Sequence, residues 1–147
     1  MIKGSLHAFT DRVLENKRID EEDVRALQRS ILEDGLASRE EADVLIALDR
    51  AVEAAHPAWS AYLIGAVVEF VVWTSRPTGV VDADTARWLV ASLGCGLGPT
   101  ETAARIAFEA IREAERTDEA LVALVLHAAA ERRRRAEADA PRDRCAA

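Results

Sequence analysis

Residues 58 to 75 read AWSAYLIGAVVEFVVWTS, and this stretch decides the fold of the chain. Its one charged residue is Glu69, and its apolar residues fall on every side of a helical wheel instead of along one stripe. A helix of this kind is normally buried on all sides. The sequence therefore predicts a central helix that follows Pro57, a residue suited to a first helical turn, and that the rest of the chain surrounds.

A membrane-spanning helix is the alternative for the same stretch, because about 18 mostly apolar residues approach the length that crosses a bilayer. At about 1.5 Å per residue the helix reaches about 27 Å, slightly less than the hydrocarbon thickness of about 30 Å. Glu69 would lie in the membrane interior, where an ionisable side chain is costly. We therefore expect the core helix of a water-soluble bundle and no membrane insertion.

The composition is that of one acidic, helix-rich domain. The chain has 147 residues, half of them apolar, and a net charge of −7. Residues 1 to 130 carry 13 basic and 22 acidic side chains, whereas residues 131 to 147 carry six arginines and four acids. An acidic body argues against a nucleic-acid groove on the globular part. The two cysteines do not form a disulfide framework and the N-terminus lacks a secretory apolar run, so we expect a cytoplasmic protein.

Apolar residues recur elsewhere at three- and four-residue spacing, and capping residues divide them into helices. Ser38 with Glu41 reads as a capping box that starts one helix, and Asp82 reads as the N-cap of another. The prediction is an all-α, single-domain bundle of about seven helices over residues 1 to 130. Residues 131 to 147 are expected to be an Arg-rich helix end and a disordered tail. The predicted helices span 5–16, 20–35, 38–55, 58–75, 82–93, 100–115 and 118–130.

An internal duplication emerges when the sequence is shifted by 44 residues. Gly35 then aligns with Gly79 and Ser38 with Asp82, and alanine and leucine positions after them also coincide. Each copy reads as a helix ended by glycine, a short turn, a capping side chain and a second helix. The pattern predicts two helix-turn-helix units, helices two with three and four with five, packed as a pseudo-symmetric pair.

The Asp34-Gly35 turn before a capped helix invites comparison with the calcium-binding EF-hand loop. Asp34 and Glu41 would occupy positions that suit calcium. Leu32, and Arg76 in the second copy, would occupy a position that must supply an oxygen ligand, so neither turn predicts a complete EF-hand.

Residues 33 to 41, EDGLASREE, resemble the Asp-Gly turn of the tellurite-resistance TerB-like family, and the layout agrees over residues 20 to 130. The resemblance implies a compact all-helical protein with an internal repeat and clustered acidic residues that hold a divalent cation. It implies Asp34 and Glu41 as ligands of calcium or magnesium, and a non-enzymatic, stress-associated or scaffold role. Without a metal, Asp34 is a solvated turn residue and Glu41 half of a capping box.

Glu69 is the candidate centre of a second kind of site. An unpaired carboxylate on an apolar helix is typical of binding and catalytic groups, and Tyr62 and Trp73 complete the predicted ligand-binding set. The structural alternative is that Glu69 accepts hydrogen bonds from a neighbouring helix start or pairs with Arg87. The corresponding function is a small-ligand-binding or catalytic bundle with its pocket around Glu69. The three tryptophans, Trp59, Trp73 and Trp88, are otherwise expected in the hydrophobic core.

No signature of an enzyme, a zinc site or a nucleotide loop is found in the sequence. The three histidines lack metal-ligand spacing, no nucleophile motif is present, and the glycine-dense residues 94 to 99 are not followed by Lys-Ser/Thr. A protein partner is therefore expected, and a second copy of the chain is one candidate for it. The run Arg132 to Arg135 either docks on an acidic partner or nucleic acid, or stays solvated at a helix end.

Overall fold

The computed structural model describes residues 3–95 and 97–141, and over these residues the predicted all-α, single-domain bundle is confirmed. Helix α2 continues through the π-helical turn Leu27–Ile31, and α4 continues through the π-helical turn Phe70–Thr74. The described helices are α1 Gly4–Asn16, α2 Glu21–Ala26, α3 Arg39–Ala51, α4 Pro57–Glu69, α5 Ala83–Gly94, α6 Glu101–Glu113 and α7 Glu119–Asp139.

The helix starts lie where the capping residues predict them. The Ser38 hydroxyl accepts the N–H of Glu41 at 3.2 Å, and the Asp82 carboxylate accepts the N–H of Thr85 at 2.8 Å. Pro57 is the first residue of α4. Helix α7 runs to Asp139, so the arginine run is helical, whereas residues 142 to 147 of the predicted tail lie outside the described residues.

Four two-residue strands join the helices in parallel pairs. They are β1 Arg18–Ile19, β2 Ala54–Ala55, β3 Val80–Val81 and β4 Arg116–Thr117. Strand β1 pairs with β2 and β3 pairs with β4, and each strand is followed directly by a helix. Helix α3 therefore ends before β2, not at Ala55 as predicted. The pairing holds the starts of α2 and α4 together, and likewise those of α5 and α7.

The pairing reveals a duplication with a longer period than the sequence suggested. A shift of 62 residues lays β1 on β3, α2 on α5, α3 on α6, β2 on β4 and the start of α4 on α7. Backbone bonds repeat as well: the Glu53 N–H donates to Lys17 O at 2.9 Å, and the Glu115 N–H donates to Gly79 O at 2.7 Å. The predicted 44-residue shift aligns two similar glycine turns, but the order of strands and helices repeats with the 62-residue shift. Helix α4 ends the first repeat and begins the second, which explains its length and central position.

Helix α4 is central, but the prediction that it is buried on all sides is wrong. It packs against α2, α3 and α6, while its opposite strip stays exposed. The exposed strip consists of small or polar residues except for one tryptophan, and alanine and glycine add apolar character without requiring burial. The strip is Ala61, Gly65, Glu69 and Trp73, and the buried face is Trp59, Leu63, Ile64, Val67, Val68, Val71 and Val72.

The stretch Pro57–Thr74 is also, among the described helices, the one long and apolar enough to cross a membrane, with a mean hydropathy of 1.3. Core helices of soluble proteins share this length and composition. The contacts of its buried face with three other helices agree with that reading.

Two aromatic residues lie at the surface, and one of them, Trp73, is a predicted core position. Trp73 is 46% exposed and its indole N–H donates to the Glu113 carboxylate at 3.0 Å, while Phe108 is 52% exposed on α6. Trp59 is buried as predicted, and its indole N–H donates to the Asp49 carboxylate. The indole N–H needs a partner, and a carboxylate near the surface provides one more readily than an apolar interior.

Candidate functional site: an acidic groove beside α4

The exposed strip of α4 and the turn after α2 enclose an open groove of about 520 Å³. Its charged residues, Glu33, Asp34 and Glu69, are all carboxylates, and we call it the acidic groove. The turn contributes Gln28, Leu32, Glu33, Asp34 and Gly35, and α4 contributes Ala61, Tyr62, Gly65, Ala66 and Glu69.

The groove exists because both of its walls lack bulk. Gly65 has no side chain, and a Cβ at this position would meet no atom within 4 Å. On the other wall, Gly35 adopts a φ of +82°, which turns the chain away from α4 towards the start of α3. Leu32 and Leu36 on either side of this turn are buried, so the wall is anchored in the core.

Tyr62 lines the groove and carries a buried polar atom. Its hydroxyl oxygen is buried and has no hydrogen-bond partner within the described residues. Burial, and secondarily the charge of Glu41, raise the pKa of Tyr62 from its ordinary value of 10.0 to about 12. An unsatisfied buried hydroxyl costs about 1–3 kcal/mol, so its retention calls for an explanation, and a ligand atom that bonds to it would supply one.

Glu41 lies beneath the groove instead of lining it. The residue is 3% exposed, and its carboxylate accepts the N–H of Ala37 at 3.2 Å. A capping box would direct that bond to the N–H of Ser38, so the carboxylate bonds one residue before the predicted partner. Glu41 thereby fixes the turn that forms one wall, and its charge acts on Tyr62 from inside.

The structure brings together three of the five residues that the sequence singled out. Asp34, Tyr62 and Glu69 line one groove, Glu41 supports it from beneath, and Trp73 turns away towards α6. Within residues 3–95 and 97–141, no group of three or more acidic, histidine or cysteine side chains is close enough to hold a metal ion.

Glu69 is not held by the partners that the structural alternative predicted. It is exposed, and its carboxylate makes no hydrogen bond or ion pair with any described residue. Arg87, the expected partner, instead donates to the carbonyl of Ala83 one turn earlier in α5. The carboxylate is therefore free to meet a ligand in the groove.

The polar pair of Glu41 and Tyr62 is specific to the first repeat. A shift of 62 residues lays Glu41 on Ala103 and Tyr62 on Leu124, so an apolar pair occupies the same place in the second repeat. The scaffold therefore does not require the polar pair. Sequence reasoning missed this contrast because it used the 44-residue shift, and it also missed Gln28 and Glu33.

Similarity to known proteins gives no information about this site. No family model matches the chain, and no curated protein or solved structure is significantly similar to it.

Proposed function

We propose that this protein is a non-enzymatic binding module of the TerB-like kind, located in the cytoplasm, that holds a protein partner in the acidic groove. The observation that carries the proposal is the buried, unpartnered hydroxyl of Tyr62 in a groove lined by free carboxylates. Because the equivalent apolar pair would pack without that cost, the polar pair is best explained by binding.

The lining of the groove defines the chemistry of the partner. Ala61, Gly65 and Ala66 allow a partner helix to approach closely, as helices that bind in grooves do. Asp34 and Glu69 stand at its sides and favour lysine or arginine on the partner through charge complementarity. The preferred partner is therefore a basic amphipathic helix that presents a polar group to Tyr62.

A divalent cation is the second candidate occupant. The TerB-like resemblance supports it, and Asp34, one of the ligands that the resemblance implies, lines the groove. Calcium or magnesium would have to draw Asp34 and Glu69 together, since hard cations of this type require several oxygen ligands. A small-ligand function remains the alternative that the groove volume favours, because about 300–1,000 Å³ is usual for such sites.

The partner proposal is tested by heteronuclear NMR with a defined lysine- and alanine-rich helical peptide. We expect the amide signals of Gly35, Gly65 and Glu69 to shift. Replacing both carboxylates, Asp34→Asn with Glu69→Gln, should weaken binding by about three- to tenfold, since each exposed charge pair contributes about 0.2–1 kcal/mol.

The matched control removes two carboxylates elsewhere on the surface, Glu15→Gln with Glu22→Gln, and should bind like the wild type. Equal weakening by both double variants would contradict docking in the groove and indicate a general charge effect. Titration with magnesium or calcium alone separates the cation candidate: a rise in Tm that Asp34→Asn with Glu69→Gln abolishes would support the metal.

A further inference from the structure

A second groove lies at the position in the second repeat that matches the acidic groove in the first. It has a volume of about 440 Å³ and lies between the loop after α5 and the C-terminal half of α7. The 62-residue shift lays Gly35 on Leu97, Gly65 on His127 and Glu69 on Glu131. All three of these later residues line the second groove.

The charged side chains of this groove differ from those of the first, since it holds the arginines Arg132 and Arg135 beside the glutamates Glu101 and Glu131. His127, Arg132 and Arg135 line it from successive turns of α7, and we call it the basic groove. Neither Arg132 nor Arg135 makes a hydrogen bond or ion pair with a described residue. Glu131 also lines the groove, but its carboxylate is paired with Arg134 at 2.8 Å. Two guanidinium groups are thus available to a ligand.

The opposite wall is held in place by residues of the first repeat. The Arg50 guanidinium donates to the carbonyl oxygens of Leu93 at 3.1 Å and Gly98 at 2.8 Å, which fixes the loop after α5. Thr100 then caps α6 by accepting the N–H of Ala103. The start of α6, including Glu101, lines the same groove as the arginines, and the uncapped N–H groups of a first helical turn have no partners within the helix.

We propose that the basic groove binds a small organic phosphate. Arg132 and Arg135 can each bond phosphate oxygens in a bidentate manner, and the start of α6 adds its positive helix end. Leu97, Pro99 and Ala128 provide apolar surface for the rest of the molecule. The glycine-dense sequence of residues 94 to 99 contains no charged side chain, and the arginines of α7 supply the positive charge. The proposal does not depend on partner docking in the acidic groove.

Calorimetric titration of the full chain with inorganic pyrophosphate and with ATP tests the proposal. We expect both to bind, and ATP to bind more tightly because it also covers apolar surface. Arg132→Ala with Arg135→Ala should weaken both at least about tenfold, because charge-assisted hydrogen bonds to phosphate are stronger than neutral ones. Glu101→Gln, which removes the one groove carboxylate without an ion pair, should tighten binding.

The control pair Arg29→Ala with Arg133→Ala removes the same charge outside the groove and should change affinity less than about twofold. The wild type gives a check that does not depend on variants, because the imidazole NMR signals of His127 should shift with pyrophosphate. Two results would overturn the proposal. One is no binding of either phosphate at millimolar concentration, and the other is equal weakening of phosphate binding by both double variants.

Discussion

The two grooves occupy equivalent places in the two repeats and differ chiefly in the arginines and histidine that line only the second. Gly65 and Glu69 of the acidic groove correspond to His127 and Glu131 of the basic groove, and the arginines come one and four residues after Glu131. The backbone is shared: paired strands, a turn, and a helix that closes the groove. The duplicated scaffold therefore fixes where a groove forms, and the exposed face of α4 or α7 decides what it can bind.

The residues next to the grooves differ between the repeats as well. The first repeat has Glu41 and Tyr62 where the second has Ala103 and Leu124. Both pairs are accommodated by the same fold, so the fold does not require the polar pair of the first repeat. Substitutions in the shared core should affect both repeats alike, whereas substitutions at the residues of one groove should affect that groove alone.

The largest expected effect comes from equivalent leucines in the core. Leu27 and Leu89 coincide under the 62-residue shift, and both are 0% exposed. We expect Leu27→Ala and Leu89→Ala each to lower the free energy of unfolding by about 2–5 kcal/mol. Urea denaturation measures the effect, with Leu126→Ala as a surface control because that side chain is 65% exposed. A loss below about 1 kcal/mol at either leucine would contradict the equivalence of the repeats.

The second prediction concerns alkaline pH. Because the pKa of Tyr62 is raised to about 12 in the folded chain, the folded state favours the neutral phenol. Its contribution to stability is complete below pH 10 and is lost as the pH rises from about 10 to about 12. Tyr62 is the only tyrosine, so tyrosinate absorbance reports it directly. A midpoint near pH 10 in the folded protein would show that the hydroxyl is solvated.

Removing the hydroxyl should have a smaller effect at neutral pH. Tyr62→Phe deletes the unpartnered oxygen and keeps the ring, so we expect a gain of about 1 kcal/mol in the free energy of unfolding. The same variant should weaken peptide binding, while pyrophosphate binding remains unchanged. Denaturant unfolding and the two titrations check these expectations. A loss of stability would mean that the hydroxyl already has a structural partner.

The smallest effect is expected at Gly65. An alanine Cβ there meets no atom within 4 Å, so Gly65→Ala should stabilise the chain by about 0.5–1 kcal/mol through helix propensity. Gly35→Ala also meets no atom, but the φ of +82° should make it destabilising by about 1–2 kcal/mol. Thermal unfolding compares the pair. Destabilisation by Gly65→Ala would indicate that the groove is narrower than described.

The sequence predicts most of the fold because helix boundaries depend on local chemistry. Ser38, Asp82 and Pro57 mark helix starts through bonds or backbone angles formed within a few residues. The strand pairs could not be predicted, because β1 and β3 are two residues long and their partners lie far along the chain. The exposed strip of α4 was missed because small residues count as apolar whether or not they are buried.

The site was predicted in part for a related reason. Asp34 and Glu69 attract attention as charges near a glycine turn and on an apolar helix, and folding brings them to one groove. Trp73 lies on the same exposed strip of α4 as Glu69, but its indole N–H donates a hydrogen bond to Glu113 on α6. The basic groove could not be predicted from local patterns, since its two walls are contributed by residues about 30 positions apart in the chain.

One NMR experiment tests the central claim, that equivalent grooves bind ligands of opposite charge. Separate samples of the wild type are titrated with the basic helical peptide and with pyrophosphate. The peptide should shift the amide signals of Gly35, Gly65 and Glu69, and pyrophosphate those of Leu97, His127 and Arg135. Both ligands shifting the same set of signals, or neither ligand shifting its own set, would contradict the account.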